Sequence, residues 1–244
     1  LAFVITSRGK GLNIAKKYSE NFWNLKSFLS FASSNKNVSV KEQILKGAAG
    51  LFFQYGIKAI TMDDIARHLS ISKRTIYENF PTKDDIVNLL LRDHLELSKK
   101  ECSQRCSESK NAIEEIVLMM EHVRETFSKM NPRILMDLKK FHPKAWKDYE
   151  EFKNGFLMKT ISENLKKGIA EGVYRKNIKV EILARLRIEL VELAWNTDIF
   201  SPTRFELKNV QLSILEHFLY GITNIKGHRM VQKYKKTQHL NAIA

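Results

Sequence analysis

From residue 39 onward, apolar side chains recur every three or four positions between short polar interruptions, and that period is helical. The first stripe, Ile44, Leu45, Ala48, Leu51 and Phe52, predicts a helix over Val40–Tyr55 that Gly56 ends. Hydroxyl residues then mark a series of helix starts. Ser39 with Glu42, Thr61 with Asp64, and Thr82 with Asp85 have capping-box spacing, in which a hydroxyl accepts from a backbone N–H and an acid reaches back. Ser72 is a fourth cap, with Thr75 three residues on. Ile60 with Ile65, and Ile71 with Ile76, flank two of these caps as hydrophobic staples. The implied elements are a short helix Met62–Leu69, a turn Ser70-Ile71-Ser72, a short helix Lys73–Phe80, a break at Pro81-Thr82, and a long helix starting at Lys83.

Beyond it the same periodicity predicts helices over Asn111–Met130, Pro132–Phe141, Lys144–Glu171, Lys179–Asp198 and Arg204–Asn224. Gly172 sits where a left-handed cap would follow Glu171. No stretch alternates as a strand does, and no repeat is visible. Only 10 Gly and 4 Pro punctuate 244 residues, which suits long helices. The predicted fold class is all-α, with a three-helix N-terminal unit over 39–91 and a larger helical unit over 92–226.

Residues 1–38 read differently. They mix Lys, Ser, Asn and Gly with scattered aromatics, and Ser33-Ser34-Asn35-Lys36-Asn37 has the composition of a linker. We read them as a basic appendage, partly helical over Asn13–Ala32, loosely ordered or a misassigned start; a DNA-touching arm is the functional alternative. Residues 227–244 read as a basic tail.

Charge sharpens this division. The net charge is +14, and the excess lies at the ends: residues 1–39 hold 6 basic and 1 acidic side chains, and residues 225–244 hold 5 and none. Basic ends attract any polyanion, nucleic acid or membrane surface alike. A hydrophobic fraction of 43% can build a core. Cys102 and Cys106 make no disulfide framework and suit a reducing compartment. No apolar run approaches the ~18 residues of a membrane span, and Leu1–Thr6 is too short for a signal-peptide core. A cytoplasmic protein is the expectation. No nucleophile elbow, phosphate-binding loop, zinc-protease motif or dinucleotide-binding glycine pattern occurs, so we expect no enzyme and no cofactor. With His94 or His122, the two cysteines could form a metal or oxidant-sensing group, but no recognised ligand spacing is present; His142 and His217 read as structural.

Two short helices joined by a three-residue turn form a helix-turn-helix pattern. Ala66 is the small residue where the helices cross, and Ile65, Leu69, Ile71 and Ile76 form the apolar seam, with Phe52 and Phe80 closing it. The second helix then presents Lys73, Arg74, Thr75, Tyr77, Glu78 and Asn79 outward. Arg and Lys suit guanine and phosphate, Asn suits adenine, and Glu can accept from cytosine. Thr61 and Lys83, at two further helix starts, are placed for phosphate contacts.

The sequence Ile44-Leu45-x-x-Ala48-Ala49-x-Leu51-Phe52-x-x-x-Gly56, then Thr61-x-x-x-Ile65-Ala66, then Ile71-Ser72-x-x-Thr75-Ile76-Tyr77-x-x-Phe80-x-x-Lys83, resembles the DNA-binding domain of the TetR family of transcriptional regulators. The resemblance covers Ser39 to about Leu91. It implies a homodimeric repressor that binds double-stranded, pseudo-palindromic operator DNA and is released by a small molecule. It also implies a base or backbone contact for Tyr77 and a phosphate contact for Lys83. One departure is visible: the turn usually carries Gly before its apolar residue, and here Ser70 must accept a strained or left-handed backbone, at about 1 kcal/mol.

The same resemblance makes the larger unit a ligand-binding and dimerisation domain. Asn164-Leu165-x-x-Gly168-x-x-x-Gly172-x-Tyr174-Arg175 is similar to a helix end common in such domains. Leu186, Leu190 and Leu193, with Leu215, Phe218 and Leu219, are the expected dimer interface on the last two long helices. Met119, Met120, Phe127, Met136, Phe141, Trp146, Phe156 and Trp195 are the candidate lining of a pocket for a hydrophobic effector, plain core being the alternative. The basic tail Lys226–Lys236, with Met230, Val231 and Tyr234, leaves a membrane-surface helix open as a competing role.

Overall fold

The computed structural model describes residues 39–127 and 130–237. The appendage 1–38, its expected helix Asn13–Ala32 included, lies outside them. The described helices are α1 Val40–Tyr55, α2 Met62–Leu69, α3 Lys73–Asn79, α4 Lys83–Glu108, α5 Ala112–Thr126, α6 Ile134–Phe141, α7 Pro143–Phe152, α8 Met158–Ala170, α9 Val180–Leu193, α10 Leu207–Ile222 and α11 Ile225–Thr237. Among the described residues the only β pairing is an isolated bridge between Tyr174 and Thr223.

The N-terminal helices begin where the hydroxyl caps predict. Ser39, Thr61 and Thr82 each accept from the backbone N–H three residues on, and the acid reaches back in all three. Ser72 caps α3 through the Thr75 N–H. Ser70 adopts φ 55° and ψ 36°, the left-handed of the two expected alternatives. Gly56 ends α1 at φ 86°, which favours glycine.

Two clusters of apolar residues hold the helices together. The first joins Ile44, Ala48 and Phe52 of α1 to Ile65 and Ala66 of α2, Ile76 of α3, and Ile86 and Val87 of α4. It also takes in Met130, Ile134, Leu138 and Trp195, so the core is shared across residue 91, and α4 runs unbroken past that point. Gly47 was missed in the sequence: a Cβ there would meet Leu69 Cδ2 at 2.8 Å, so its lack of side chain lets α1 and α2 approach. The second cluster centres on Ile113 and Val117 of α5, Leu165 of α8, Tyr174, and Leu215, Leu219 and Ile222 of α10.

Two expectations need correction. Lys144–Glu171 is not one α-helix: a π-helical turn over Lys153–Leu157 separates α7 from α8. An extra residue in one turn does not disturb the apolar stripe enough to be seen in it. Nor is 227–237 a free tail. It belongs to α11, whose Val231 is buried and whose Tyr234 hydroxyl accepts from Asn111 Nδ2 at 2.9 Å. Met230, Val231 and Tyr234 of its apolar face pack into the second cluster, while Ile225 stays exposed. Among the described residues no helix is long and apolar enough to cross a membrane.

Candidate nucleic-acid interface and effector cavity

Local chemistry fixes α3 outward-facing on one side. Ile76 is fully buried and pins the helix to α1 and α2, so residues on the opposite face must project. Arg74 is the most open of them, with 87% of its side chain accessible, and its Nε donates to Glu78 Oε1 at 2.7 Å. Tyr77 is 49% exposed, unusual for a large aromatic without a partner. Lys73 pairs with Asp63 of α2. Thr75 and Asn79 are half-buried, and Asn79 Nδ2 donates to Thr75 O at 2.8 Å. Thr61 is exposed, and its hydroxyl is engaged with Asp64 Oδ2 at 2.6 Å.

Lys83 behaves otherwise. Its ammonium donates to Ile57 O at 3.1 Å and Ile60 O at 3.0 Å. Burial lowers its pKa, with Asp137 and Asp84 acting the other way. In this conformation Lys83 ties the start of α4 to the loop between α1 and α2. That loop and the end of α1 are held from the far side too: the Lys58 N–H donates to Asp137 Oδ2 at 2.8 Å, and the Asn131 N–H to Phe53 O of α1 at 2.9 Å.

Above this junction lies a cavity of about 410 Å³, within the ~300–1,000 Å³ range of small-molecule sites. Helix α4 supplies one wall through Val87, Leu91, His94 and Arg105, and α1 contributes Phe52 and Phe53. Of the expected lining residues, Met119, Phe127 and Trp195 border it, the last two meeting edge to face at 5.3 Å. The other five lie elsewhere. Met120 is in the second core cluster, Met136 and Phe141 are exposed, Trp146 packs on Tyr149, and Phe156 stacks on Phe152. Helical periodicity identifies an apolar face but not which neighbour covers it.

Sequence reasoning missed the polar lining. Arg105, Lys153, Arg187 and Gln211 are all buried yet border the cavity. Lys153 sits at the π-helical turn and donates to Glu192 Oε1 at 2.6 Å. A charged residue on an apolar stripe was the available signal. Cys102, Cys106, His94 and His122 also border the cavity. Burial depresses the pKa of His94 to about 3 and that of His122 well below its ordinary value, so both rings are neutral. Among the described residues no group of three or more His, Cys, Asp or Glu could hold a metal ion. His142 is buried against Asp84, whereas His217, expected to be structural, is exposed on α10.

Of the expected dimer residues, Leu186 and Leu193 are exposed and Leu190 is half-buried. They continue a stripe begun by Ile182, which is 65% exposed. Leu215, Phe218 and Leu219 face inward instead, in the second cluster. On α10 the outward positions are Asn209, Ser213, His217 and Gly221.

A capped helix-turn-helix with an exposed basic and aromatic face, set on a helical body that encloses a cavity, defines a DNA-binding regulator. Residues 44–90 match the family model described as bacterial regulatory proteins, tetR family. The chain is 26% identical over 156 residues to the HTH-type transcriptional repressor KstR2 of Mycolicibacterium smegmatis, covering 60% of this chain and 73% of that protein. It is 25% identical over 187 residues to the uncharacterized HTH-type transcriptional regulator YvaF of Bacillus subtilis, covering 75% and 95%. A transcriptional regulator from Saccharomonospora viridis, solved in complex with choline, has the same fold at a TM-score of 0.60 and 19% identity, covering 75% of this chain and 97% of that one. The helix-turn-helix over residues 44–90 is therefore of the tetR type.

Proposed function

We propose that this regulator represses transcription as a homodimer, occupies a pseudo-palindromic operator through α3, and leaves it when a small molecule fills the cavity. The observation that carries the reading is the exposed face of α3, where Arg74, Tyr77 and Glu78 project while Ile76 alone is buried. Lys73, Thr75 and Asn79 complete the face, and Thr61 and Lys83 flank it; Lys83 reaches phosphate only by giving up one of its carbonyl partners. Two copies joined along the Ile182–Leu186–Leu193 stripe would present two reading heads to half-sites about 34 Å apart.

Release follows from a shared element. Helix α4 meets the reading head at Lys83 and walls the cavity as far as Cys106, and α1 borders the same cavity. A molecule that fits one placement of α4 better than another shifts the spacing of the heads by its differential affinity. That the similar fold from S. viridis holds choline supports the cavity as an effector site. A binding titration on DNA from upstream of the protein's own gene tests the reading. Tight binding that Arg74→Ala weakens is expected; binding indifferent to that change contradicts it.

A further inference from the structure

Arg187 stands apart from the other charges around the cavity. Lys153 meets Glu192 at 2.6 Å, Arg105 meets Glu101 at 3.3 Å, and Glu115 meets Lys167 at 3.2 Å. Arg187 lies on α9 and is 8% exposed, and it borders the cavity with no ion pair. Its Nη1 is fully buried and makes no hydrogen bond. The guanidinium lies over the Phe218 ring at 5.9 Å, which fixes its plane without satisfying its N–H groups. Burial alone lowers its pKa, to about 10, and no carboxylate acts on it. Asp93, the remaining acid on the lining, is exposed, and the two histidines beside it are neutral.

An uncompensated buried cation is strongly unfavourable, and replacing such a charge by an apolar group is commonly neutral or stabilising. A buried unsatisfied group in a cavity wall therefore points to a missing partner. Most of the remaining lining is apolar, Phe52, Leu91, Phe127, Leu138 and Trp195 among others, and its other charged groups have partners of their own or stand exposed. We propose that the effector is an amphipathic anion, a carboxylate on an apolar body, whose head is held by the free edge of the Arg187 guanidinium. A guanidinium fork matches a carboxylate in two parallel hydrogen bonds, and a dry wall strengthens both. The inference rests on reading the cavity as the effector site.

The test uses decanoate, decan-1-ol and acetate as probes on the whole chain, with calorimetry and thermal melting. Decanoate should bind at least tenfold more tightly than decanol and raise the melting temperature, whereas acetate should do neither. Arg187→Met should fold with an unbound melting temperature equal to or above that of the parent, yet bind decanoate no better than decanol. Arg187→Lys, which keeps charge but not the fork, should retain only part of the preference. Equal binding of decanol, a preference that survives in Arg187→Met, no binding of decanoate, or a shift that acetate reproduces would each overturn the assignment. Operator affinity is read separately: decanoate held through Arg187 without weakening DNA binding would sink the release reading and leave the anion site standing.

Discussion

The Asp137 carboxylate accepts a hydrogen bond from the backbone N–H of Lys58 at 2.8 Å, joining α6 to the loop that precedes the helix-turn-helix. Asp137 is 8% exposed, so its loss leaves a shielded donor unmet. Asp137→Ala should cost about 1–3 kcal/mol in a urea melt. Asp137→Asn, which keeps an acceptor, should cost less. Because this bond ties the reading head to the cavity wall, Asp137→Ala should also blunt the effect of a bound effector on operator affinity.

The reading face carries little of the folding energy. Arg74→Ala removes a side chain that is 87% accessible and paired only with exposed Glu78, so the melting temperature should not move. Operator preference should fall by about 1–3 kcal/mol in anisotropy titrations against scrambled DNA, the worth of one good base contact. Equal preference in parent and variant would place the reading face elsewhere.

Much of this fold is legible in local chemistry. Caps at Ser39, Thr61, Ser72 and Thr82 fix helix starts because a hydroxyl and an N–H three residues on meet within the segment itself. The left-handed Ser70 is equally local. What escapes is set by distant partners. Leu215 and Leu186 both sit on apolar stripes, but one is buried in the second cluster and the other faces outward, a distinction periodicity lacks. Met120 and Met119 are neighbours, yet only Met119 borders the cavity. Arg187 sits at helical spacing from Leu183 and Leu190, but whether that face is buried depends on where α9 docks.

Gly168 and Tyr174 form a second contact that can be tested by one atom. A Cβ at Gly168 would lie 2.1 Å from Tyr174 Cδ2, inside the ring. The ring cannot step aside, because its single hydroxyl proton is shared between Asn164 Oδ1 at 3.0 Å and Ala112 O at 3.1 Å. Gly168→Ala should destabilise the chain by about 1–3 kcal/mol, as overpacked cores do. Tyr174→Phe should cost about 1 kcal/mol, and in the double variant the penalty of Gly168→Ala should persist.

Acid should loosen the cavity. His94 and His122 are held neutral in the folded chain, while the unfolded chain takes up protons near pH 6.5. Their contribution is full above that pH and is lost as pH falls from 6.5 toward 3. Glu101 acts in the opposite sense: burial raises its pKa from 4.5 to about 7, so its contribution is present below 4.5 and is lost as pH rises through 7. With two histidines against one glutamate, stability should decline from pH 6.5 to 4.5 in melts at constant salt. His122→Gln should flatten that decline.

Assembly rests on α9. Leu186→Glu sets a charge in the middle of the exposed Ile182–Leu193 stripe and touches no buried contact of the chain. Light scattering should report monomers, with an unchanged far-ultraviolet spectrum and operator affinity at least tenfold weaker. A variant that stays dimeric would put the interface on another face.

Protection mapping of DNA upstream of the protein's own gene asks whether α3 reads an operator. One protected pseudo-palindrome is expected, its half-sites about 34 Å apart, and it should disappear when Arg74 and Tyr77 are both replaced by alanine. A footprint that survives that double replacement, with the chain still folded, would contradict it.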